Sequence, residues 1–356
     1  MLSNLCLCIS RACNYLMCKK KTRKNECEYG SRFVMFFHRI RIQKSYVHCK
    51  SGFTLLSYDM AKYSIKIDHF SKSFGEVKAV KDLSFEVNDG EVFAFLGTNG
   101  SGKTTTIRCL LKIYQADEGN LLINGKEYSE ELNQIIGYLP EERGLYRDVS
   151  VIDILTYTAR LRGIDSDDAM KRSLAYLDMV GLILHKDKQI SQLSSGMQQK
   201  VQLGTALIHN PEILILDEPF KGLDPINRQL FVDILKEKGK KGATILYSTH
   251  VIDEAQKMAD RLLIIKDGNR LEYGSVNEVR ARHGSKSIFI EFSGKAPVEK
   301  NELYSAIITN KTAEIIPNKD ITEEKILENL LKQGVKLVSF RLDYPSLNQV
   351  FVDIMK

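Results

Sequence analysis

A glycine-rich stretch, GTNGSGKTT at residues 97–105, combines residue types that can bind phosphate. Four residues separate Gly97 from Gly102, Lys103 and Thr104, as in the pattern G-x-x-x-x-G-K-[ST]. Glycines let backbone N–H groups approach an anion at the start of the next helix, where the helix dipole favours negative charge. Lys103 would contact the terminal phosphates of a nucleotide, and the Thr104 hydroxyl would ligate Mg²⁺. The loop residues assigned to nucleotide binding are Gly97, Thr98, Asn99, Gly100, Ser101, Gly102, Lys103, Thr104 and Thr105.

An acidic pair supplies a second part of such a site. Asp217 and Glu218 directly follow the aliphatic run 213–216, which is typical of a buried parallel strand. Strands of an α/β sheet present ligand-binding residues at their carboxyl ends. Asp217 would hold Mg²⁺, directly or through water, and Glu218 would act as the general base for an attacking water. The alternatives are a glycine turn that binds nothing and a solvated acidic pair, and the presence of both motifs in one chain argues against them.

The elements around these motifs predict an α/β core. An apolar strand at 92–96 precedes the glycine loop, and a helix follows it. The alternating segments 64–67 and 83–87 predict an antiparallel pair, and the glycine turn within 121–128 predicts a strand, turn and strand. Residues 150–181 are helical in pattern. We therefore predict a P-loop nucleotide-binding core with an antiparallel β portion and a helical subdomain.

The organisation changes near residue 285. Strand patterns occur at 288–292, 304–309 and 337–342, and amphipathic helices are predicted at 321–333 and 346–355. These elements predict a small, separate α+β domain over residues 285–356. The nucleotide-binding domain would then occupy residues 60–284.

The net charge of +6 comes from the first 59 residues. They hold 11 Lys/Arg against 3 Asp/Glu and six of the seven cysteines, whereas the rest of the chain has 40 basic and 42 acidic residues. Because its basic and acidic residues nearly cancel, the chain after residue 59 is not expected to bind nucleic acid. Its single cysteine suits a reducing cytoplasm. No apolar window reaches the ~18 residues of a membrane span.

Residues 1–59 show no sustained periodicity, and we expect no helix or strand there. Our hypothesis is that Met60 is the native start and that the preceding residues are upstream sequence read in frame. A basic, cysteine-containing membrane anchor is the competing interpretation, supported by the apolar segment 33–37 beside Arg39 and Arg41. A disordered tail is the remaining one.

The sequence Leu-Ser-Ser-Gly-Met at 193–197 completes a motif set that closely resembles the ATP-binding-cassette (ABC) ATPases. The resemblance covers about residues 62–283, which would be the ABC ATP-binding domain. The family signature reads Leu-Ser-Gly-Gly-Gln, so Ser194 and Gly196 match whereas Ser195 and Met197 depart from it.

The resemblance implies further site residues. Phe74 would stack on adenine, His250 would contact the γ-phosphate, and the segment 222–224 would couple two subunits. Ser194 and Gly196 would contact the nucleotide held by a second subunit. Glu141 stands where the family usually has a glutamine that ligates Mg²⁺. The implied metal ligands are Thr104, Glu141 and Asp217.

The run GYLPEERGLY at 137–146 and the C-terminal region resemble a bacterial exporter subgroup related to sodium-extrusion and drug-resistance cassettes. That implies a subunit that binds and hydrolyses ATP with Mg²⁺, pairs with a second ABC subunit, and powers a separate integral-membrane permease. The subunit would be a peripheral membrane protein on the cytoplasmic face of the cell membrane. Two alternatives are a soluble cassette ATPase of translation or DNA repair, and a regulatory cassette that binds ATP without turnover.

Overall fold

The computed structural model describes residues 42–48, 54–60, 63–142, 144–284, 287–318 and 320–355. The chain divides into two units, residues 1–60 and 61–356. In the first unit, strands β1 (Ile42–His48) and β2 (Thr54–Met60) pair antiparallel, where we expected no strand. The segment 33–37 and the six cysteines that precede residue 50 lie outside the described residues.

The second unit contains thirteen strands and nine helices in its described part. Its strands are β3 (Tyr63–Phe74), β4 (Val77–Asn88), β5 (Val92–Gly97), β6 (Glu118–Ile123), β7 (Ile136–Leu139), β8 (Ile213–Asp217), β9 (Thr244–Thr249), β10 (Arg261–Lys266), β11 (Asn269–Ser275), β12 (Ser287–Ser293), β13 (Tyr304–Thr309), β14 (Thr312–Pro317) and β15 (Lys336–Asp343). Its helices are α1 (Lys103–Leu110), α2 (Val151–Leu161), α3 (Ser166–Met179), α4 (Ser195–Leu207), α5 (Pro225–Lys240), α6 (Ile252–Met258), α7 (Val276–Arg282), α8 (Glu323–Lys332) and α9 (Leu347–Met355).

A six-stranded sheet lies at the centre of this unit, in the order β11–β10–β5–β9–β8–β7. All neighbouring pairs are parallel except β10 with the edge strand β11. Every residue of β5, β8 and β9 is buried. Successive side chains of a strand point to opposite faces, so Ala94 belongs to one core cluster and Phe93 to another on the other side of the sheet. Burial on both faces explains why these strands are continuous apolar runs in the sequence.

A second, antiparallel sheet has the order β4–β3–β6. Ile67 of β3 lies opposite Phe85 of β4 on one side and Leu121 of β6 on the other. The predicted antiparallel pair is therefore confirmed. The predicted second strand after the glycine turn at 124–125 is wrong, because only an isolated bridge between Ile123 and Lys126 follows β6 there.

Helices α2 and α5 begin at side-chain caps. Ser150 accepts a hydrogen bond from Asp153 N (3.2 Å) at the start of α2. Asp224 accepts one from Asn227 N (2.9 Å) at the start of α5, whose first residue is Pro225. These caps satisfy N–H groups that have no partner within the helix.

The C-terminal region forms a four-stranded antiparallel sheet in the order β13–β14–β12–β15, with α8 packed on one face. Strand β14 was not predicted. The final helix α9 does not remain with this sheet, because Leu347 and Val350 are buried in the core cluster that also contains Ala94 of the central sheet. The fold is thus the predicted α/β core with antiparallel and helical portions, and its last helix completes the core.

Candidate nucleotide-binding site

The glycine loop lies between β5 and α1, at the carboxyl end of the central strand. Gly100 and Gly102 have φ of +78° and +108°, which favours glycine. A Cβ on Gly102 would lie 2.6 Å from the Ala79 carbonyl oxygen, and one on Gly97 would lie 2.5 Å from that of Ile265. The close packing of the backbone therefore requires glycine at both positions.

The Lys103 side chain is buried inside the loop. Its Nζ donates hydrogen bonds to the carbonyl oxygens of Gly97 (2.9 Å) and Thr98 (3.1 Å), and lies 3.7 Å from Glu218 Oε1. Burial lowers the pKa of Lys103, while the charges of Glu218 and Asp217 oppose that shift. The ammonium group is thus held within the glycine loop, close to the acidic pair.

The acidic pair stands at the end of β8 and is fixed by Ser248 of the neighbouring strand β9. Ser248 Oγ donates to Asp217 Oδ1 (2.5 Å) and accepts from Glu218 N (2.9 Å). Sequence reasoning gave Ser248 no role, although its position just before Thr249 and His250 at a strand end was a usable signal.

Two carboxylate oxygens of this pair are buried and have no hydrogen-bond partner in the described structure, namely Asp217 Oδ2 and Glu218 Oε1. Burial raises the pKa of Asp217, and the hydrogen bond from Ser248 opposes that rise. The Asp217 oxygen without a hydrogen-bond partner and the nearby Thr104 hydroxyl suit Mg²⁺, which prefers oxygen ligands. The residues present therefore fit the cation.

His250 and Glu218 are in direct contact. His250 Nδ1 lies 2.9 Å from Glu218 Oε2, and the histidine ring is half exposed. The other Glu218 oxygen, Oε1, is buried 3.7 Å from Lys103 Nζ. His250 is thus positioned by the residue that the sequence assigns as general base.

Glu141 reaches the site from the loop after β7. Its Oε2 accepts a hydrogen bond from Thr104 Oγ1 at 3.4 Å, and its Oε1 lies 2.7 Å from Lys221 Nζ. The Lys221 ammonium lowers the pKa of Glu141. The three implied metal ligands, Thr104, Glu141 and Asp217, thus converge beside the loop. Sequence reasoning missed Lys221.

A cavity of about 230 Å³ opens over these groups. It is lined by Asn99, Gly100, Ser101, Gly102, Lys103, Thr104, Thr105, Glu141 and Glu218. The site residues expected from the sequence that do not line it are Phe74, Gly97, Thr98, Ser194, Gly196, Asp217 and His250. Phe74 is exposed at the end of β3 and packs edge-on against Tyr114, with ring centroids 5.5 Å apart. Ser194 Oγ accepts from Met197 N (3.4 Å) as the cap of α4.

A lysine-bearing glycine loop between strand and helix, with carboxylates at the end of a neighbouring parallel strand, defines a P-loop nucleotide-binding protein. Residues 80–221 match the family model for the ABC transporter, and residues 274–355 match that for the C-terminal domain of DrrA1-3-like ATP-binding proteins.

Relatives extend this match over most of the chain. An uncharacterized ABC transporter ATP-binding protein of Methanocaldococcus jannaschii is 40% identical, over 68% of this chain and 87% of its own length. The uncharacterized ABC transporter ATP-binding protein YhaQ of Bacillus subtilis is 35% identical, over 81% of this chain and 97% of its own length. The linearmycin resistance ATP-binding protein LnrL of the same organism is 29% identical, over 82% of this chain and 97% of its own length.

Solved structures agree. An ATP-binding subunit of an ABC transporter is similar with a TM-score of 0.57 and 28% identity, covering 61% of this chain and 92% of that one. The cbiO1 protein of Clostridium perfringens is described as part of the ABC transporter complex cbiONQ. It is similar with a TM-score of 0.55 and 30% identity, covering 62% of this chain and 91% of that one. The chain therefore belongs to the ATP-binding subunits of ABC transporters, a family of ATPases.

No helix in the part of the chain that the structure describes has the length and apolar character of a bilayer span.

Proposed function

We propose that this chain is the peripheral ATPase subunit of a membrane exporter, acting on the cytoplasmic face of the membrane through a separate permease. The observation that carries the ATPase proposal is the position of Glu218. One of its oxygens contacts His250, and the other faces the glycine loop near Lys103 without a hydrogen-bond partner.

In this proposal each group has a distinct task. Backbone N–H groups of the loop and Lys103 bind the phosphates of ATP. Thr104, Asp217 and Glu141 would hold Mg²⁺, which would supply positive charge against the phosphate oxygens. Glu218 accepts a proton from the attacking water while His250 holds the carboxylate in place.

The proposed assembly pairs two such subunits head to tail, either as identical or as different chains. Ser194 and Gly196 lie at the N-terminus of α4, where an anion is favoured, yet they do not line the cavity of their own chain. A second subunit whose phosphates face α4 would use them. Binding that favours the closed pair is what would let ATP drive the permease.

A groove on the helical subdomain supports a permease partner. Its exposed apolar residues include Tyr157 and Leu161 near the end of α2. The name of the relative LnrL, a linearmycin resistance protein, favours export of a drug-like cargo. A soluble role in translation or DNA repair has less support, because the relatives are named as transporter subunits and the residues after 59 carry slightly more acidic than basic groups.

The first experiment measures nucleotide binding and turnover on the purified chain. Lys103→Ala should reduce ATP affinity at least tenfold, because a desolvated charge-assisted contact with phosphate contributes about 1.5–3 kcal/mol. Binding that is unchanged in Lys103→Ala would refute the proposed site.

The second experiment tests the permease. Affinity purification from detergent-solubilised membranes should recover a multi-span protein with the wild-type chain, and Tyr157→Glu with Leu161→Glu should lose it while still binding ATP. Leu184→Glu is the matched control, because Leu184 is exposed in the same subdomain but does not line the groove. Recovery of the same partner by all variants would exclude the groove as the docking site.

A further inference from the structure

An ion pair joins the loop after β7 to the loop after β8 at the edge of the nucleotide site. Lys221 Nζ lies 2.7 Å from Glu141 Oε1, with side-chain exposures of 58% and 32%. Lys221 is further held at its backbone, where its N–H donates to the Glu218 carbonyl oxygen (3.1 Å). The two partners are 80 residues apart in sequence, so the contact belongs to the tertiary structure and not to local geometry.

The Lys221–Glu141 ion pair lies beside a cluster of negative charges at the phosphate loop. The carboxylates of Glu141, Asp217 and Glu218 converge beside the phosphate loop, and the charges of Glu141 and Glu218 both act to raise the pKa of Asp217. Within the cavity lining, Lys103 is the single lysine. Lys221 adds a second ammonium just outside it, and its pKa is raised by Glu141 first and then by Glu218 and Asp217.

Glu141 by itself would oppose nucleotide binding. A carboxylate at that position adds negative charge close to where the phosphates lie, and a neutral side chain would not. Like charges a few ångströms apart repel, and screening by water reduces but does not remove that repulsion.

We propose that Lys221 is a positioning residue for Glu141: it neutralises the carboxylate while the phosphates enter and holds it beside Thr104, in place to meet Mg²⁺. This inference rests on the proposed nucleotide site. Bound Mg²⁺ would itself neutralise Glu141, so the contribution of Lys221 to affinity is largest when the nucleotide binds without metal.

A double-mutant cycle on affinity tests the proposal. A fluorescent ATP analogue is titrated, in EDTA and in saturating Mg²⁺, into wild type, Lys221→Met, Glu141→Gln and the double variant. Methionine keeps much of the apolar stem and removes the charge. Lys186→Met is the matched control, because Lys186 also makes an exposed 2.7 Å ion pair, with Asp187, but does not line the cavity.

We expect Lys221→Met to weaken metal-free binding about threefold, as for an exposed ion pair. The loss should be smaller in Mg²⁺ and should disappear in the Glu141→Gln background. Lys186→Met should change neither value.

An equal loss in both Glu141 backgrounds would overturn the proposal, because Lys221 would then act on the nucleotide directly. No loss in either background would also overturn it, leaving a surface ion pair without a role. Both outcomes differ from failure of the proposed nucleotide site itself, in which wild type and Lys103→Ala would bind the analogue equally.

Discussion

Glu218 occupies a backbone conformation that non-glycine residues rarely adopt, with φ of +49°. Such conformations cost about 1–3 kcal/mol and persist where surrounding contacts hold them. Here the Glu218 N–H bonds to Ser248, and the side chain bonds to His250. The strain is thus located at the residue that the proposed hydrolysis depends on most.

Glu218→Gln should abolish steady-state ATP turnover, by at least a hundredfold, because the amide fills the same space but cannot accept a proton from water. Binding of ATP should remain. The measurements are phosphate release and analogue affinity, with Glu127→Gln as an exposed control outside the cavity. Turnover at the wild-type rate would remove Glu218 from the role of base.

Helix α6 connects the site to the C-terminal region. It begins two residues after His250 and is held by α9: Leu347 N donates to Gln256 Oε1 (2.7 Å), and Asn348 Nδ2 donates to Asp253 Oδ1 (2.6 Å). Ala255 belongs to the same core cluster as Leu347. The helix that follows His250 is therefore packed against the last helix of the chain.

Leu347→Ala should lower the free energy of unfolding by about 2–5 kcal/mol, the range for truncating a buried leucine. Val352→Ala is the matched control on the same helix, because Val352 is half exposed and its truncation should cost little. Urea denaturation followed by circular dichroism gives both values. A loss for Leu347→Ala as small as the one expected for Val352→Ala would show that Leu347 does not anchor α9 in the core.

Ser194 does not line the nucleotide cavity of its own chain. In the proposed head-to-tail pair, each cavity is therefore completed only by Ser194 of the other subunit. The Ser194 hydroxyl caps α4 in the structure. Replacing it therefore removes both a cap and the proposed contact with a second subunit, and the two effects need to be separated.

Ser194→Ala should weaken ATP-dependent dimerisation at least fivefold while the ATP affinity of the monomer stays within about twofold, since a lost contact to a charged group costs about 1–3 kcal/mol. Sedimentation of the Glu218→Gln background with and without ATP measures this. Ser150→Ala loses the comparable cap of α2 and should leave dimerisation unchanged. A collapse of monomer affinity in Ser194→Ala would place Ser194 in its own site.

Much of the fold and half of the site could be read from local sequence. The glycine loop, the caps at Ser150 and Asp224, and the aliphatic strand before Asp217 depend on residues within a few positions of one another. Their geometry follows from steric freedom, capping and burial, which short stretches of sequence express directly. The predicted P-loop core rests on these features, and the predicted family and ATPase class rest on them together with the run at 193–197.

The remaining features depended on contacts between distant segments. Ser248 fixes Asp217 across neighbouring strands, and Lys221 pairs with Glu141 across 80 residues. A charge or a hydroxyl in sequence carries no information about which partner it meets, because that is set by strand order and loop packing. Helix α9 shows the same limit: its amphipathic pattern predicted a helix with one apolar face, and only the tertiary structure decided that this face completes the core beside α6.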